Sequence, residues 1–198
     1  AVLPLRGKIL NSEGLTLTKV MTHQELADLV TALGTGVGEG FNLNNLRYGK
    51  IILLMDADAD GHHITTLMLT FFFRFMPELI RKGHLFIGQP PLYRIDIGKE
   101  TFWAKDDVHK EQLLEEVLQK RPNAKPDITR FKGLGEMLPK TLAETTLNVK
   151  TRTLLRVDID SLIEADKTFT ALLGKDPASR YQFIMESANQ VDSEELHV

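Results

Sequence analysis

The chain has 198 residues, 42% of them hydrophobic, so it can bury a sizeable core. This composition argues against a chain that is disordered as a whole. It contains no cysteine, which excludes disulfides and thiolate metal sites and fits a reducing compartment. With 24 basic and 27 acidic residues the net charge is -3, so any contact with nucleic acid depends on local basic clusters.

The ends of the chain and its apolar stretches bear on localisation. The longest apolar stretch, residues 64–76, is interrupted by Arg74 and is shorter than the roughly 18 residues that a membrane span needs. The sequence begins at Ala1 without a basic targeting segment. We therefore expect an excised part of a longer, cytoplasmic protein that has no contact with a membrane.

A short basic segment lies near the start of the chain. In residues 3–10, Arg6 and Lys8 flank a glycine between apolar neighbours. This pattern is typical of an edge strand with solvated charges, or of a backbone that comes close to a phosphate between two cations. The residues alone leave both interpretations open.

Helical periodicity follows this segment. Residues 22–33 begin with the spacing of a capping box and continue with leucines and valine at helical intervals, which predicts a helix that ends at Gly34. The glycines of residues 34–40 favour a flexible connector over a nucleotide-binding loop, because a helix and not a strand precedes them.

The centre of the sequence is an apolar run that ends in three carboxylates. Residues 51–55 are apolar at every position, as expected of a strand that is covered on both faces. If the backbone stays extended, Asp56, Asp58 and Asp60 point the same way and converge on one small volume. Their repulsion then means that some of them are protonated or that a divalent cation binds between them.

The remaining pattern predicts a series of helices and strands. We expect a helix over residues 64–76, a new helical turn at Pro77, a strand over 84–89, a hairpin over 92–104 that turns at Gly98, helices over 108–119 and 138–145, a strand over 151–158, and helices over 161–173 and 178–190. The strand–helix–strand order implies a right-handed parallel unit. We predict a Rossmann-like α/β core over residues 1–105, with a mostly parallel sheet flanked by helices, and an α-rich tail over residues 106–198.

Four interpretations of the acidic segment compete. A calcium-binding EF-hand needs a bidentate glutamate at the twelfth loop position, where this chain has Leu67. A phosphotransferase of the haloacid-dehalogenase type would use Asp56 as nucleophile, but Asp60 stands where that class has threonine or valine. In the third interpretation the aspartates only cap and solvate the turn. The fourth interpretation, a Mg²⁺ site for phosphodiester chemistry, is favoured because the three carboxylates follow a buried strand.

Four sequence blocks together resemble the Toprim domain and tail of the B subunits of bacterial type IIA topoisomerases. The blocks are residues 5–11, 56–64, 89–93 and 132–137, and their order and spacing agree with that family over almost the whole chain. Residues 31–36 and 46–48 favour the gyrase type over the topoisomerase IV type.

This resemblance implies the Mg²⁺-dependent part of a DNA cleavage and religation centre, in which Mn²⁺ or Ca²⁺ can substitute. It implies double-stranded DNA and an A subunit, of gyrase or of topoisomerase IV, as partners in an A2B2 enzyme, with the nucleophilic tyrosine on the A subunit. Asp56 and Asp58 match the metal ligands, and Asp60 would support a second ion. The residues that the resemblance places on DNA are Arg6, Lys8, His62, His63, Lys132 and Gly133.

One departure from the family affects the metal site. The family's Glu-Gly-Asp-Ser motif, whose glutamate is a metal ligand and an acid or base, is not in the sequence, and neither are the ATPase and transducer domains. We therefore expect an incomplete metal site and no ATP binding by this chain, and a DNA- or protein-docking module without catalysis is a further alternative. The tyrosines Tyr48, Tyr93 and Tyr181 are expected to be structural.

Overall fold

The structure is a computed structural model and describes residues 1–188. The helices are α1 (Leu17–Val20), α2 (Gln24–Leu33), α3 (Ala59–Phe75), α4 (Pro77–Arg81), α5 (Asp107–Lys120), α6 (Pro139–Leu142), α7 (Leu162–Leu173) and α8 (Pro177–Ser187). The strands are β1 (Ile51–Leu53), β2 (Leu85–Gln89), β3 (Tyr93–Ile97), β4 (Glu100–Ala104), β5 (Asp127–Arg130) and β6 (Thr153–Arg156). This alternation of helices and strands confirms the predicted α/β class.

The described strands form two sheets of three strands each. One sheet has the order β1-β2-β6, and the other has the order β4-β3-β5, in which β3 pairs antiparallel with both neighbours. Gly98 and Lys99 alone join β3 to β4, and so short a connection requires strands of opposite direction. Gly98 has a φ of 64°, which confirms the predicted turn. The antiparallel sheet contains the predicted hairpin, and the described sheets flanked by helices agree with the predicted α/β fold.

Two compact units divide the described chain. The first consists of Ala1–Ile51, His63–Leu85 and the described residues from Arg156 onward, and the second consists of Ile52–His62 and Phe86–Leu155. The units alternate along the sequence. The predicted boundary near residue 105, which separates core and tail by sequence position, stays a prediction.

The first unit has a core of helical side chains. On α2, the buried residues Leu26, Leu29, Val30 and Leu33 recur at intervals of three and four, so one face of the helix is covered. The helix ends, as predicted, at Gly34, which is left-handed with a φ of 81°. The predicted capping box is not formed, because His23 is the N-cap residue and its side chain makes no capping hydrogen bond.

Helix α3 contributes aromatic side chains to the same core. Phe71 and Phe72 are fully buried, and their rings meet edge to face with centroids 5.7 Å apart. Both rings therefore belong to the buried core. Among residues 1–188, no helix is both long enough and apolar enough to cross a membrane.

The edge strand considered for the start of the chain is not formed, whereas the last predicted helix is present in the first unit. Residues 3–10 form no strand, and the backbone N–H of Arg6 donates instead to the Glu25 carboxylate at 2.7 Å. The helix predicted over residues 178–190 is α8, Pro177–Ser187, and residues 189 and 190 lie outside the described part of the chain.

A guanidinium on α3 joins three segments of the first unit. Arg74, with 23% of its side chain exposed, donates through Nε and Nη2 to the two carboxylate oxygens of Glu13, at 2.7 and 2.8 Å. It also binds Asp166 of α7. Burial lowers the pKa of Arg74, but the hydrogen bonds to Glu13 and Asp166 outweigh this and raise the pKa above its usual value. Helix α7 is therefore held against α3 by a charged group as well as by packing.

The second unit is built around β3. Tyr93, Ile95 and Ile97 are buried and alternate with partly exposed residues, as expected of a strand with one covered face. Side chains of α5 pack against this face: Leu113, Leu114 and Val117. Tyr93 donates from its hydroxyl to Asp107 at 2.7 Å, which agrees with the structural role predicted for it.

We expect Arg74→Gln to lower the free energy of unfolding by about 1–3 kcal/mol, because it leaves the Glu13 carboxylate, only 10% exposed, without its cation. Arg81→Gln is the matched control, since Arg81 pairs with Glu78 at the surface with 44% of its side chain exposed. It should change the free energy by less than about 0.5 kcal/mol. Urea denaturation measures both, and equal losses would contradict the role assigned to Arg74.

Tyr93 should make the protein lose stability in alkali. Burial raises the pKa of its hydroxyl, and the hydrogen bond donated to Asp107 raises it further. The unfolded chain therefore releases this proton first, at about pH 10. The stabilisation is complete below that pH and is lost as the pH rises through the folded-state pKa.

The measurement is urea denaturation of wild type and Tyr93→Phe from about pH 8 to pH 11. The fall in stability should be smaller in Tyr93→Phe, whereas Tyr181→Phe, at a tyrosine that is 66% exposed, should follow wild type. Parallel curves for wild type and Tyr93→Phe would refute this assignment.

Candidate functional site

The acidic segment lies between a short strand and a helix. Strand β1 ends at Leu53, two residues earlier than predicted, and α3 begins at Ala59. Asp56 and Asp58 lie in the connection, whereas Asp60 lies in the first helical turn. Residues two apart on a helix do not face the same way. The prediction that an extended backbone points all three carboxylates in one direction is therefore wrong for Asp60.

Asp58 caps the N-terminus of α3. It directly precedes the helix, and its Oδ1 accepts a hydrogen bond from the backbone N–H of Gly61 at 2.7 Å. This is the geometry of an N-cap, which satisfies an otherwise unpaired amide and places a negative charge at the positive end of the helix. The capping role considered from the sequence is thus present at Asp58, and a capping carboxylate still has a second oxygen.

Gly61 comes unusually close to the backbone of Asp56. A Cβ atom at Gly61 would lie 2.0 Å from the Asp56 carbonyl oxygen and 2.9 Å from its carbonyl carbon. No side chain fits in that space, so the first turn of α3 can pack on the Asp56 peptide only because residue 61 is glycine. The backbone position of Asp56 is fixed by this contact.

The Asp56 carboxylate is bound by a distant loop of the same unit, residues 132–137. Its Oδ1 accepts a hydrogen bond from the backbone N–H of Leu134 at 2.7 Å. The Cα of Gly133 faces the same carboxylate, since a Cβ there would lie 3.0 Å from both Cγ and Oδ1. The sequence predicted neither contact.

Two amides of this loop donate to carboxylates. Besides the bond from Leu134, the backbone N–H of Lys132 donates to Oε2 of Glu136 at 2.7 Å. The backbone of Gly133, predicted to lie on DNA, thus lies against a carboxylate in this structure, and its contact with DNA stays a prediction. Lys132 is exposed, and its contact with DNA stays a prediction as well.

Three of the four sequence blocks meet in the second unit. A cleft of about 10 Å³ is lined by Ala57, Pro90, Pro91, Leu92, Phe131, Gly133, Leu134 and Met137. The backbone N–H of Phe131 also donates to the Leu92 carbonyl at 2.8 Å. This volume is about that of one water molecule. The three blocks therefore pack closely against one another, and the cleft is too small to be a ligand pocket.

The other predicted site residues are exposed. Arg6 and Lys8, from the fourth block, belong to the first unit, and Gly7 between them has a left-handed φ of 125°. His62 and His63 lie in the first turns of α3. Exposure leaves these side chains accessible to a macromolecule, and their contact with DNA stays a prediction.

The carboxylates of Asp56 and Asp58 offer oxygen ligands of the kind that Mg²⁺ binds. Within residues 1–188, no three histidine, aspartate or glutamate side chains are grouped so that they could hold a metal ion. Asp56 and Asp58 nevertheless offer carboxylate oxygens, and one hydrogen bond uses only part of the acceptor capacity of each carboxylate. Because Mg²⁺ is usually bound by one or two carboxylates together with water and substrate phosphates, this donor set suits Mg²⁺.

Comparison with known proteins places these residues in a family. The Toprim domain matches residues 1–90, and the carboxyl terminus of the DNA gyrase B subunit matches residues 123–185. The chain is 47% identical over 191 residues to the DNA gyrase B subunit of Thermotoga maritima, covering 96% of this chain and 29% of that protein. It is 48% identical over 197 residues to the DNA topoisomerase 4 B subunit of Bartonella bacilliformis, and this match covers 97% of this chain and 28% of that protein. The chain belongs to the gyrase and topoisomerase IV B-subunit family.

Membership of the B-subunit family confirms the resemblance drawn from the four blocks. The preference for the gyrase type stays a prediction, because relatives of both types are similar to nearly the same degree. The chain spans less than a third of the length of these relatives. The bond between Asp56 and Leu134 joins the Toprim match to the gyrase B carboxyl-terminal match.

Sequence reasoning missed two of the groups that shape the site. Gly61 carries a local signal, since it follows the aspartates at the start of a helix, but its contact with the Asp56 peptide is not visible in the pattern. The Leu134 amide carries no signal, because a leucine between two glycines does not indicate which residue its backbone will bind 78 positions away.

We expect Gly61→Ala to destabilise the protein by about 1–3 kcal/mol, because the new methyl group would overlap the Asp56 carbonyl and the helix start must shift. Gly49→Ala is the control, since a Cβ at Gly49 meets nothing within 4 Å. Thermal and urea denaturation compare the two variants. If Gly61→Ala proved as stable as Gly49→Ala, the close packing of Gly61 on the Asp56 carbonyl would be refuted.

Proposed function

We propose that this chain is the metal-binding part of the DNA cleavage and religation centre of a type IIA topoisomerase. The observation that carries the proposal is the acidic turn, in which backbone amides hold Asp56 and Asp58, in a chain 47% identical to a gyrase B subunit over 96% of its length. The gyrase type is the more specific form of the proposal, and topoisomerase IV is its alternative.

Asp56 and Asp58 would hold the metal in this proposal, and Asp60 would support a second ion position. Mg²⁺, or Mn²⁺ or Ca²⁺ in its place, stabilises negative charge on the reacting phosphate oxygens when it is bound. A further ligand, the glutamate of the family's Glu-Gly-Asp-Ser motif, would come from outside these 198 residues. Exposure of Asp56 supports the proposal, because a DNA phosphate must reach its ligand sphere.

The chain's own cations would position DNA. The net charge is -3, so binding must depend on local groups, and the exposed side chains of Arg6, Lys8 and Lys132 are suited to neutralise phosphates. His62 and His63 would add hydrogen bonds to double-stranded DNA, and the Gly133 backbone lies beside Lys132.

The nucleophile would be a tyrosine of an A subunit. Its phenolic oxygen forms a bond to the DNA phosphorus while the bond from phosphorus to the deoxyribose oxygen breaks, and religation reverses this exchange. Tyr93 is unsuited to this role because it is 5% exposed and its hydroxyl donates to Asp107. The enzyme would be a cytoplasmic A2B2 assembly that uses ATP through domains other than this chain.

The proposal predicts that Asp58→Asn abolishes cleavage without unfolding the turn. Asparagine caps a helix about as well as aspartate, so the bond from Gly61 can persist, but the anionic ligand is lost. We expect Mg²⁺-dependent cleavage of supercoiled DNA to fall by about 100-fold or more in the complete enzyme with its A subunit. Asp56→Asn should have a similar effect.

Asp106→Asn is the matched control for Asp58→Asn. Asp106 caps α5 in the same way, with Oδ1 accepting the His109 amide at 2.7 Å, so this variant should cleave DNA like wild type. Normal cleavage by both site variants would refute the proposal. A phosphoryl adduct on Asp56 of the isolated chain would establish the phosphotransferase alternative. DNA binding without any divalent-metal binding would establish the docking alternative.

A further inference from the structure

We propose that the loop of residues 132–137 positions the Asp56 carboxylate for metal binding, through the amide of Leu134, while Gly133 leaves the space that the carboxylate occupies. The inference rests on the proposed function, in which Asp56 is a metal ligand. It assigns to this loop a role that acts through a carboxylate and does not require the loop to touch DNA or metal.

The loop orients the carboxylate and leaves room for it. The Leu134 N–H fixes Oδ1 with a hydrogen bond of 2.7 Å, which is in the short range of bonds to a charged acceptor. A methyl group at Gly133 would lie 3.0 Å from Cγ and Oδ1 and 3.3 Å from Oδ2, so a side chain at this position would displace the carboxylate. Rotation about the last bond of an aspartate is otherwise broad, so an exposed Asp56 needs such a hydrogen bond to present its oxygens in one direction.

The loop is itself rigidly closed. Glu136 accepts the Lys132 amide through Oε2 at 2.7 Å and donates its own backbone N–H to the Gly133 carbonyl at 3.2 Å. Met137 anchors the end of the loop and is 6% exposed. The amide of Leu134 is therefore held at a defined place before it meets Asp56, as a positioning group must be.

This arrangement has the properties of an outer hydrogen-bond shell of a metal site. Groups that orient a ligand, without contacting the metal, typically contribute roughly 10–100-fold to metal affinity. A neutral amide can orient the carboxylate without bringing a positive charge close to the cation.

The first test compares Gly133→Ala with Gly135→Ala in the complete protein. Both changes add one methyl group to the same loop, but a Cβ at Gly135 meets nothing within 4 Å. Calorimetric titration with Mn²⁺ should show roughly 10–100-fold weaker binding in Gly133→Ala and less than about a twofold change in Gly135→Ala. Equal affinity in the two variants would overturn the inference.

The second test removes the hydrogen bond without adding an atom. Replacement of Leu134 by its α-hydroxy acid turns the amide into an ester, so the N–H that binds Asp56 is absent. The same replacement at Lys150 is the control, because it also removes an amide hydrogen bond to a side chain, that of Asn148 at 3.0 Å, but outside the loop. Mn²⁺ affinity should fall for the ester at position 134 and be nearly unchanged for the one at 150, and equal affinities would overturn the inference.

A double-mutant cycle separates positioning from general damage to the fold. In an Asp56→Asn background, Gly133→Ala should weaken Mn²⁺ binding no further, because the group that it disturbs is no longer a ligand. Additive losses would indicate a structural effect and refute positioning. If Asp56→Asn alone left Mn²⁺ affinity unchanged, the proposed function itself would fail. If only Asp56→Asn weakened binding, that function would stand and the loop would have no positioning role.

Discussion

The hydrogen bond from the Leu134 amide to Asp56 is the interaction on which the candidate site depends. Asp56 lies beyond the end of a three-residue strand and before the start of a helix, so neither element determines where its side chain points. Asp58, by contrast, is oriented by its own helix through the Gly61 amide. One carboxylate is therefore fixed by local structure and the other by a segment that is remote in sequence. Both donors are neutral amides, so neither brings a positive charge close to a cation that the carboxylates would bind.

Two glycines make this arrangement possible because they have no Cβ atom. Gly61 allows the first turn of α3 to lie against the Asp56 backbone, and Gly133 leaves room for the Asp56 carboxylate. Neither glycine is at a turn that needs a left-handed backbone, so their importance comes from close packing and not from conformational freedom.

The sequence predicted those features that depend on neighbours along the chain. The apolar intervals of α2 and α3, the stop at Gly34 and the hairpin turn at Gly98 follow from local spacing and from glycine's access to positive φ. The direction of Asp60 was not predictable, because the same residues fit an extended turn or a helix start, and the helix begins at Ala59. The family resemblance identified the four blocks, but a single sequence does not contain the information that three of them pack together.

The pairing of a Toprim aspartate with a loop from the carboxyl-terminal match bears on how these two regions are related. If the loop only followed the Toprim region in sequence, Asp56 could keep its geometry when the loop changed. The structure instead gives its carboxylate a hydrogen-bond donor and the space that it occupies, and both come from the loop. The loop is closed by Glu136 and joined at Phe131 to the Leu92 backbone. A disturbance at any of these contacts would therefore reach the carboxylate through a short chain of hydrogen bonds. For this reason the metal-binding geometry is better regarded as a property of both regions than of the aspartate motif alone.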